Sequence, residues 1–207
     1  MRGRLFDIFK RLCADQGANA ATEFALIVPF LITLYLGSLE AAALFTADKR
    51  VNSISATVGD LVGQWDPDDG TVPAATLAGY FQAAKGLIVP YPSATLKQVV
   101  SLVFVKADGT TKVIWSQQSG GAPVRAQGTT FQPLMVSSGT QTNLSARGGC
   151  IIASEVSYSY KPLLAVVFKT AVNLVHTNYF IPRYGATDVV QIAALPVATT
   201  ACTTGVY

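Results

Sequence analysis

The chain has 207 residues, half of them hydrophobic and 13% charged, with a formal charge of +3. It is too apolar for a disordered chain and too polar for a polytopic membrane protein. Two of the three net positive charges sit in the first 18 residues, where Arg2, Arg4, Lys10 and Arg11 outweigh Asp7 and Asp15; no basic stripe is left to hold a phosphate backbone, which disfavours nucleic acid as a partner.

Residues 1–18 read as a short basic leader ending in small residues. An uncharged run, FALIVPFLITLYLGSL, follows from Phe24 to Leu39 between Glu23 and Glu40. As a helix its residues cover about 24 Å, and adding Ala41–Ala47 gives a full bilayer span with Glu40 near the far interface. We expect a transmembrane helix over 19–47. The basic residues ahead of it assign that side to the cytoplasm, so residues 48–207 form an extracytoplasmic domain. A buried core helix is rarely so uniformly apolar. A cleaved secretory signal could end at Ala41-Ala42-Ala43, but it would carry Glu23 and Pro29 inside its early regions and Glu40 just before the cut. A signal anchor without further processing also fits the composition.

Glu23 is the residue that asks for a function. A carboxylate at the start of a spanning helix is costly, by about 2–3 kcal/mol at full depth and less near the interface, and needs a partner. A free α-amine, created by removal of the leader just before it, is the natural one. Pairing between the carboxylate of one subunit and the ammonium of its neighbour would offset burial of both charges and fix the axial register of packed helices.

Beyond the span, Val51, Ile54, Val58, Leu61, Val62 and Trp65 recur at spacings of three and four, the stripe of an amphipathic helix that continues the span. Asp66-Pro67-Asp68-Asp69-Gly70 ends it; the spacing and closing Glu of a calcium loop are missing, so this is a solvated turn. A second helix is predicted from Pro73 to about Leu87, with Leu77, Tyr80, Phe81 and Ala84 on one side and Pro90-Tyr91-Pro92 closing it. The period then changes. Leu96–Val105 and Thr111–Ser116, joined across Asp108-Gly109, predict a β-hairpin. Residues 117–149, rich in Gly, Ser, Thr and Gln, read as a long loop with short elements. Ile151–Tyr160 reads as a strand with Ile152, Val156, Tyr158 and Tyr160 on one face. The apolar run Leu163–Leu174 fits a helix or a strand and is read as a helix, and Tyr179–Tyr184 and Thr187–Ala194 as closing strands. The expected fold is α+β: a long N-terminal transmembrane helix continuing into an amphipathic helix packed on a small antiparallel sheet.

The three cysteines, Cys13, Cys150 and Cys202, form no CxxC. Outside the cytosol Cys150 and Cys202 would most simply form one disulfide, for about 3–4 kcal/mol in the chain-entropy model; two thiols is the alternative. His176 is the single histidine, and no HExxH, GxSxG or P-loop spacing occurs. Asp60, Asp66, Asp68, Asp69, Asp108, Glu155 and Asp188 are scattered. We expect no catalytic residues, no metal and no cofactor, and no enzyme activity.

A short basic leader, Gly17-Ala18, then ATEFALIVPF, a leucine-rich stretch and Gly37-Ser38-Leu39-Glu40 resemble the TadE-like family of minor pilins and pseudopilins of the tight-adherence (Flp pilus) secretion systems. Glu23, Phe24, Ala25, Leu26 and Pro29 fit that family's pattern. So do Asp60-Leu61-Val62-Gly63-Gln64, Pro90-Tyr91-Pro92, Asp108-Gly109 with Val113-Ile114-Trp115-Ser116, and Val156-Ser157-Tyr158-Ser159-Tyr160-Lys161-Pro162, each more weakly. The resemblance implies a pilin-like fold. It also implies cleavage by a prepilin peptidase at Gly17, Ala18 and Asn19. A cut after Ala18 makes Glu23 the fifth residue, the family's spacing; a cut after Gly17 makes it the sixth. The implied setting is the bacterial inner membrane, single pass, with the N-terminus cytoplasmic and the domain periplasmic. The implied partners are other pilin subunits, the Tad assembly platform and the lipid bilayer, in building an adhesive pilus. The reading of another class is a permanently signal-anchored envelope protein whose outer domain binds a partner or ligand.

Overall fold

The computed structural model describes Lys10, residues 19–66, 71–106, 108–131, 148–162 and 169–184, and Cys202. The chain divides into two compact units, one of Met1–Leu44 with Lys161–Ala171, the other of Phe45–Tyr160 with Val172–Tyr207. One helix, α1 (Asn19–Gly63), contributes to both.

In the first unit α1 carries Pro29 inside its length. Proline removes one backbone donor from the helix, and helices in lipid tolerate this because neighbouring groups re-satisfy the backbone. Thr33 Oγ donates to the Pro29 carbonyl at 2.8 Å, and Ser38 Oγ to that of Tyr35 at 2.7 Å, so both hydroxyls are tied back to their own helix.

The second unit is built on a four-stranded antiparallel sheet: β1 (Lys97–Val105), β2 (Thr111–Ser119), β3 (Gly149–Tyr160) and β4 (Val172–Phe180), in the order β2-β1-β3-β4. Asp108-Gly109 makes the expected turn between β1 and β2. Gly109 lies at φ +86°, and Asp108 accepts from the Thr110 backbone N–H at 2.8 Å and its hydroxyl at 2.7 Å. These bonds favour the carboxylate and hold the Asp108 pKa below its ordinary value, the Thr110 hydroxyl contributing most. The β1–β2 register shifts between Leu102 and Val103, where Trp115 and then Val113 follow as partners. This bulge brings both Ile114 and Trp115 into the interior.

The even-numbered face of β1 and β3 receives the helices. From α1, Val51, Ile54, Val58 and Val62 of the stripe read from the sequence are fully buried, as is Ala47 before them, while Leu61 and Trp65 are only partly covered. Burying each of these valines and isoleucines contributes about 1.5–3 kcal/mol as an upper figure. Ser55 Oγ donates to the Ser154 carbonyl at 2.7 Å, which lets a polar residue sit in that stripe. The second helix, α2 (Ala74–Lys85), begins after Pro73 as expected and buries Leu77, Phe81 and Ala84. Gln98 of β1 donates to the Phe81 carbonyl at 3.3 Å. A 3₁₀ turn, Gly86–Ile88, carries on from α2, and another spans Ser93–Thr95.

The odd-numbered face has its own apolar cluster of Val103, Val105, Val113, Ile151, Ala153 and Phe131, with Tyr179 against it. Residues 120–131 supply Phe131, and the Thr111 hydroxyl donates to its carbonyl at 2.9 Å.

Three expectations need correction. Residues 117–119, read as loop, extend β2. In the run read as a helix over Leu163–Leu174, residues 172–174 open β4 instead, Val172 opposite Tyr160 and Leu174 opposite Tyr158. The run is apolar without a clean period of either kind, so the sequence does not separate helix from strand, and pairing with β3 decided it. The strand read over Tyr179–Tyr184 stops at Phe180, where Pro182 cannot donate to a ladder and the Arg183 N–H bonds the Gly63 carbonyl at 3.0 Å. Residues 163–168 and Thr187–Ala194 lie outside the described residues.

Candidate functional site

The feature that sets this chain apart is the outer part of α1. Phe24, Leu26, Ile27, Phe30, Leu31, Ile32, Leu34, Tyr35 and Leu39 are all exposed, from 46% at Leu39 to 80% at Leu26. These positions lie around the whole helix, not on one stripe, so no single protein face could cover them. So much exposed apolar surface on one helix is unusual for a segment that faces water. Among the described residues, this helix is the one long and apolar enough to cross a membrane. Glu23 stands exposed directly before this run, and Glu40, at its other end, is 3% exposed.

Of the residues named for processing, Gly17 and Ala18 lie outside the described set, and Asn19 is the first residue of α1. Cys13 also lies outside it. Cys150, at the start of β3, is joined by a disulfide to Cys202, with Cα atoms 5.2 Å apart. The bond ties the C-terminal segment to the sheet.

A row of polar contacts joins α1 to β4 and the residues after it. His176 Nε2 lies 2.7 Å from Asp48 Oδ1, Asn178 Nδ2 donates to Asn52 Oδ1 at 2.9 Å, and Arg183 Nη2 donates to Asp60 Oδ1 at 2.7 Å. Residues 48, 52 and 60 fall on one side of the helix at multiples of four, so β4 runs alongside it in the same direction. Gly59 sits in this seam. A Cβ there would meet two carbons of the Phe180 ring at 2.3 and 2.4 Å. Asp48 lies 128 positions from His176, and no spacing in the sequence points from one to the other.

On the opposite face Arg125 grips Glu155 through both guanidinium edges, Nε to Oε2 at 2.7 Å and Nη2 to Oε1, and its guanidinium carbon lies 4.5 Å from the centre of the Phe131 ring. The Glu155 carboxylate accepting those bonds raises the Arg125 pKa above its ordinary value. Tyr179 is pushed up by burial, with a smaller contribution from Glu155. Beside this pair a shallow groove of about 490 Å³ presents Lys97, Ser157, Ser159, Asn173 and Val175. Lys97, Ser157, Ser159 and Asn173 lie on strands, and Thr95, from the 3₁₀ turn before β1, donates to the Ser159 carbonyl at 3.1 Å. Among the described residues no three His, Cys, Asp or Glu side chains gather to hold a metal ion.

Compared with known proteins, the chain matches no family model, no curated protein and no solved structure.

Proposed function

We propose that this chain is a minor pilin or pseudopilin of the tight-adherence type, a single-pass envelope protein that serves assembly, initiation or anchoring of an adhesive filament. The observation that carries the reading is the outer half of α1: an apolar run exposed on every side, opened by Glu23, on the same helix that then buries a stripe against a sheet. A helix built in this way serves two settings, lipid before assembly and a sheath of identical helices after it. In either one the Glu23 carboxylate needs a cation, and the neighbour's α-amine supplies it once the leader is removed. The domain beyond residue 47 faces the periplasm, where a disulfide between Cys150 and Cys202 persists.

The test is intact mass with N-terminal peptide mapping, on protein from cells with and without their prepilin peptidase. A peptidase-dependent start at Ala18 or Asn19 is expected. An intact Met1 in both strains would overturn the pilin reading and leave a permanently anchored binding domain in its place.

A further inference from the structure

We infer that the groove on the odd-numbered face of the sheet receives the acidic run Asp66-Pro67-Asp68-Asp69 of a second copy of this chain, joining copies end to end. Every contact it draws on lies within the unit Phe45–Tyr160 with Val172–Tyr207. For its purpose the inference rests on the proposed filament role, to which it adds a contact between subunits.

The first observation is shape. Lys97, Ser157 and Val175 stand directly opposite one another on β1, β3 and β4, and Ser159 and Asn173 form the next pair along. Alternate residues of a strand share a face, so all five lie on the odd-numbered face, turned away from α1. A second hollow of about 140 Å³ shares Lys97, Ser157 and Val175 with the first, of about 490 Å³, and carries it on to Glu155 and Pro123. From Ser159 to Glu155 the groove follows β3 for about 13 Å, the length of roughly four residues of extended chain.

The second observation is chemistry. At one end of the groove Arg125 and Glu155 satisfy each other. Among the described residues, no hydrogen bond or ion pair engages the Lys97 ammonium, the Ser157 and Ser159 hydroxyls or the Asn173 side-chain amide. The groove thus offers one cation, several hydrogen-bonding groups and an apolar rim in Val175, 63% exposed. Tyr158, the aromatic residue lining it, is buried, so no ring face is open for a base to stack on. A carboxylate carried on an extended peptide complements this set.

The chain itself holds such a peptide. Asp66-Pro67-Asp68-Asp69 puts three acids in four residues, and a residue ahead of proline is biased to extended backbone. His176, Asn178 and Arg183 meet Asp48, Asn52 and Asp60 in turn, so Asn173 and Val175 of the groove lie at the Asp48 end of the unit. Gln64 and Trp65 bond back to Asp60 and Val62, which keeps Asp66 at the other end. Asp48 to Asp60 alone is about 18 Å of helix, whereas three residues past Asp66 reach about 10 Å at most. The run is therefore too far to enter its own groove, which also faces away from α1. Between copies, a groove at one end and its complement at the other leave both free ends open, the heterologous arrangement that grows into a chain.

The test is a carbodiimide cross-link on full-length protein in detergent, purified from cells that hold the prepilin peptidase. Isotope-labelled and unlabelled preparations are mixed, so that mixed-label peptide pairs report contacts between copies. Pairs joining Lys97 to Asp68 or Asp69 are expected several-fold above those joining Lys49, an exposed lysine at the same end of the unit but outside the groove. Ser157→Tyr, which fills the floor and keeps the charge, should bring the Lys97 pairs down to the Lys49 level. Lys97 pairs no more abundant than Lys49 pairs, or undiminished in the Ser157→Tyr protein, would overturn the inference. The N-terminus mapped in the same digest reports the filament reading separately. A cleaved leader without the Lys97 pairs refutes the contact alone, and an intact Met1 with them refutes the pilin reading alone.

Discussion

Gly59→Ala is predicted to destabilise the outer domain, against the usual effect of that substitution in a helix. Glycine to alanine inside a helix ordinarily gains about 0.5–1 kcal/mol through backbone entropy. At Gly59 the new methyl would lie 2.3 and 2.4 Å from two Phe180 ring carbons and 3.1 Å from the Ser154 Cβ. Ordinary carbon contacts begin near 3.5 Å, so the ring must withdraw by about 1 Å or more. Ser154 has little room to give, because β3 lies between β1 and β4 and its carbonyl is held by Ser55. Overpacking of this kind costs about 1–3 kcal/mol, which outweighs the gain in propensity and leaves a net loss of about 1 kcal/mol. For a chain of this size that lowers the Tm by about 2–4 °C. Gly79→Ala is the internal control: Gly79 is exposed in the middle of α2 with nothing within 4 Å of the added Cβ, so the full gain is expected there. Both variants would be unfolded thermally and by denaturant as full-length protein in detergent, followed by near-UV circular dichroism. A Gly59→Ala protein as stable as Gly79→Ala, or more so, would refute the close approach of α1 to Phe180.

Breaking the Cys150–Cys202 bond, by Cys202→Ser or by reductant, should cost about 4 kcal/mol for a separation of 52 residues, read as a lower denaturation midpoint; equal midpoints with and without reductant would count against the bond. Glu155→Gln leaves Arg125 one neutral acceptor in place of a bidentate carboxylate, and a loss of about 1 kcal/mol is expected by the same unfolding assay. Burial raises the Tyr158 and Tyr179 pKa values in the folded domain. Folding thus favours their neutral forms, so this stability is complete below the unfolded tyrosine value near pH ~10 and is lost as the pH rises through the folded values. Tyr179→Phe should flatten part of that alkaline decline, measured by unfolding across the range alongside tyrosinate absorbance. In cells, Glu23→Ala should insert at normal levels yet fail to support filament formation, and normal piliation by that variant would remove the role assigned to Glu23.

Local patterns in the sequence were enough for the elements whose period is set by one neighbour. The long apolar helix was legible because an uncharged run of that length has few other stable conformations. The stripe Val51, Ile54, Val58 and Val62 was legible because one face of one helix is buried. Asp108-Gly109 carried its hairpin because the turn is made by its own residues. Tertiary structure decided what depends on distant partners. Strand pairing made β4 start within an apolar run that had no period of its own, and carried β2 on through residues 117–119. The contacts of Asp48 with His176, Asp60 with Arg183 and Arg125 with Glu155 join residues 30 to 128 positions apart, and no spacing rule predicts them. Gly59 is the sharpest case: in sequence it is a weak point in a helix, and only the ring of Phe180 lying against it makes the missing side chain a requirement.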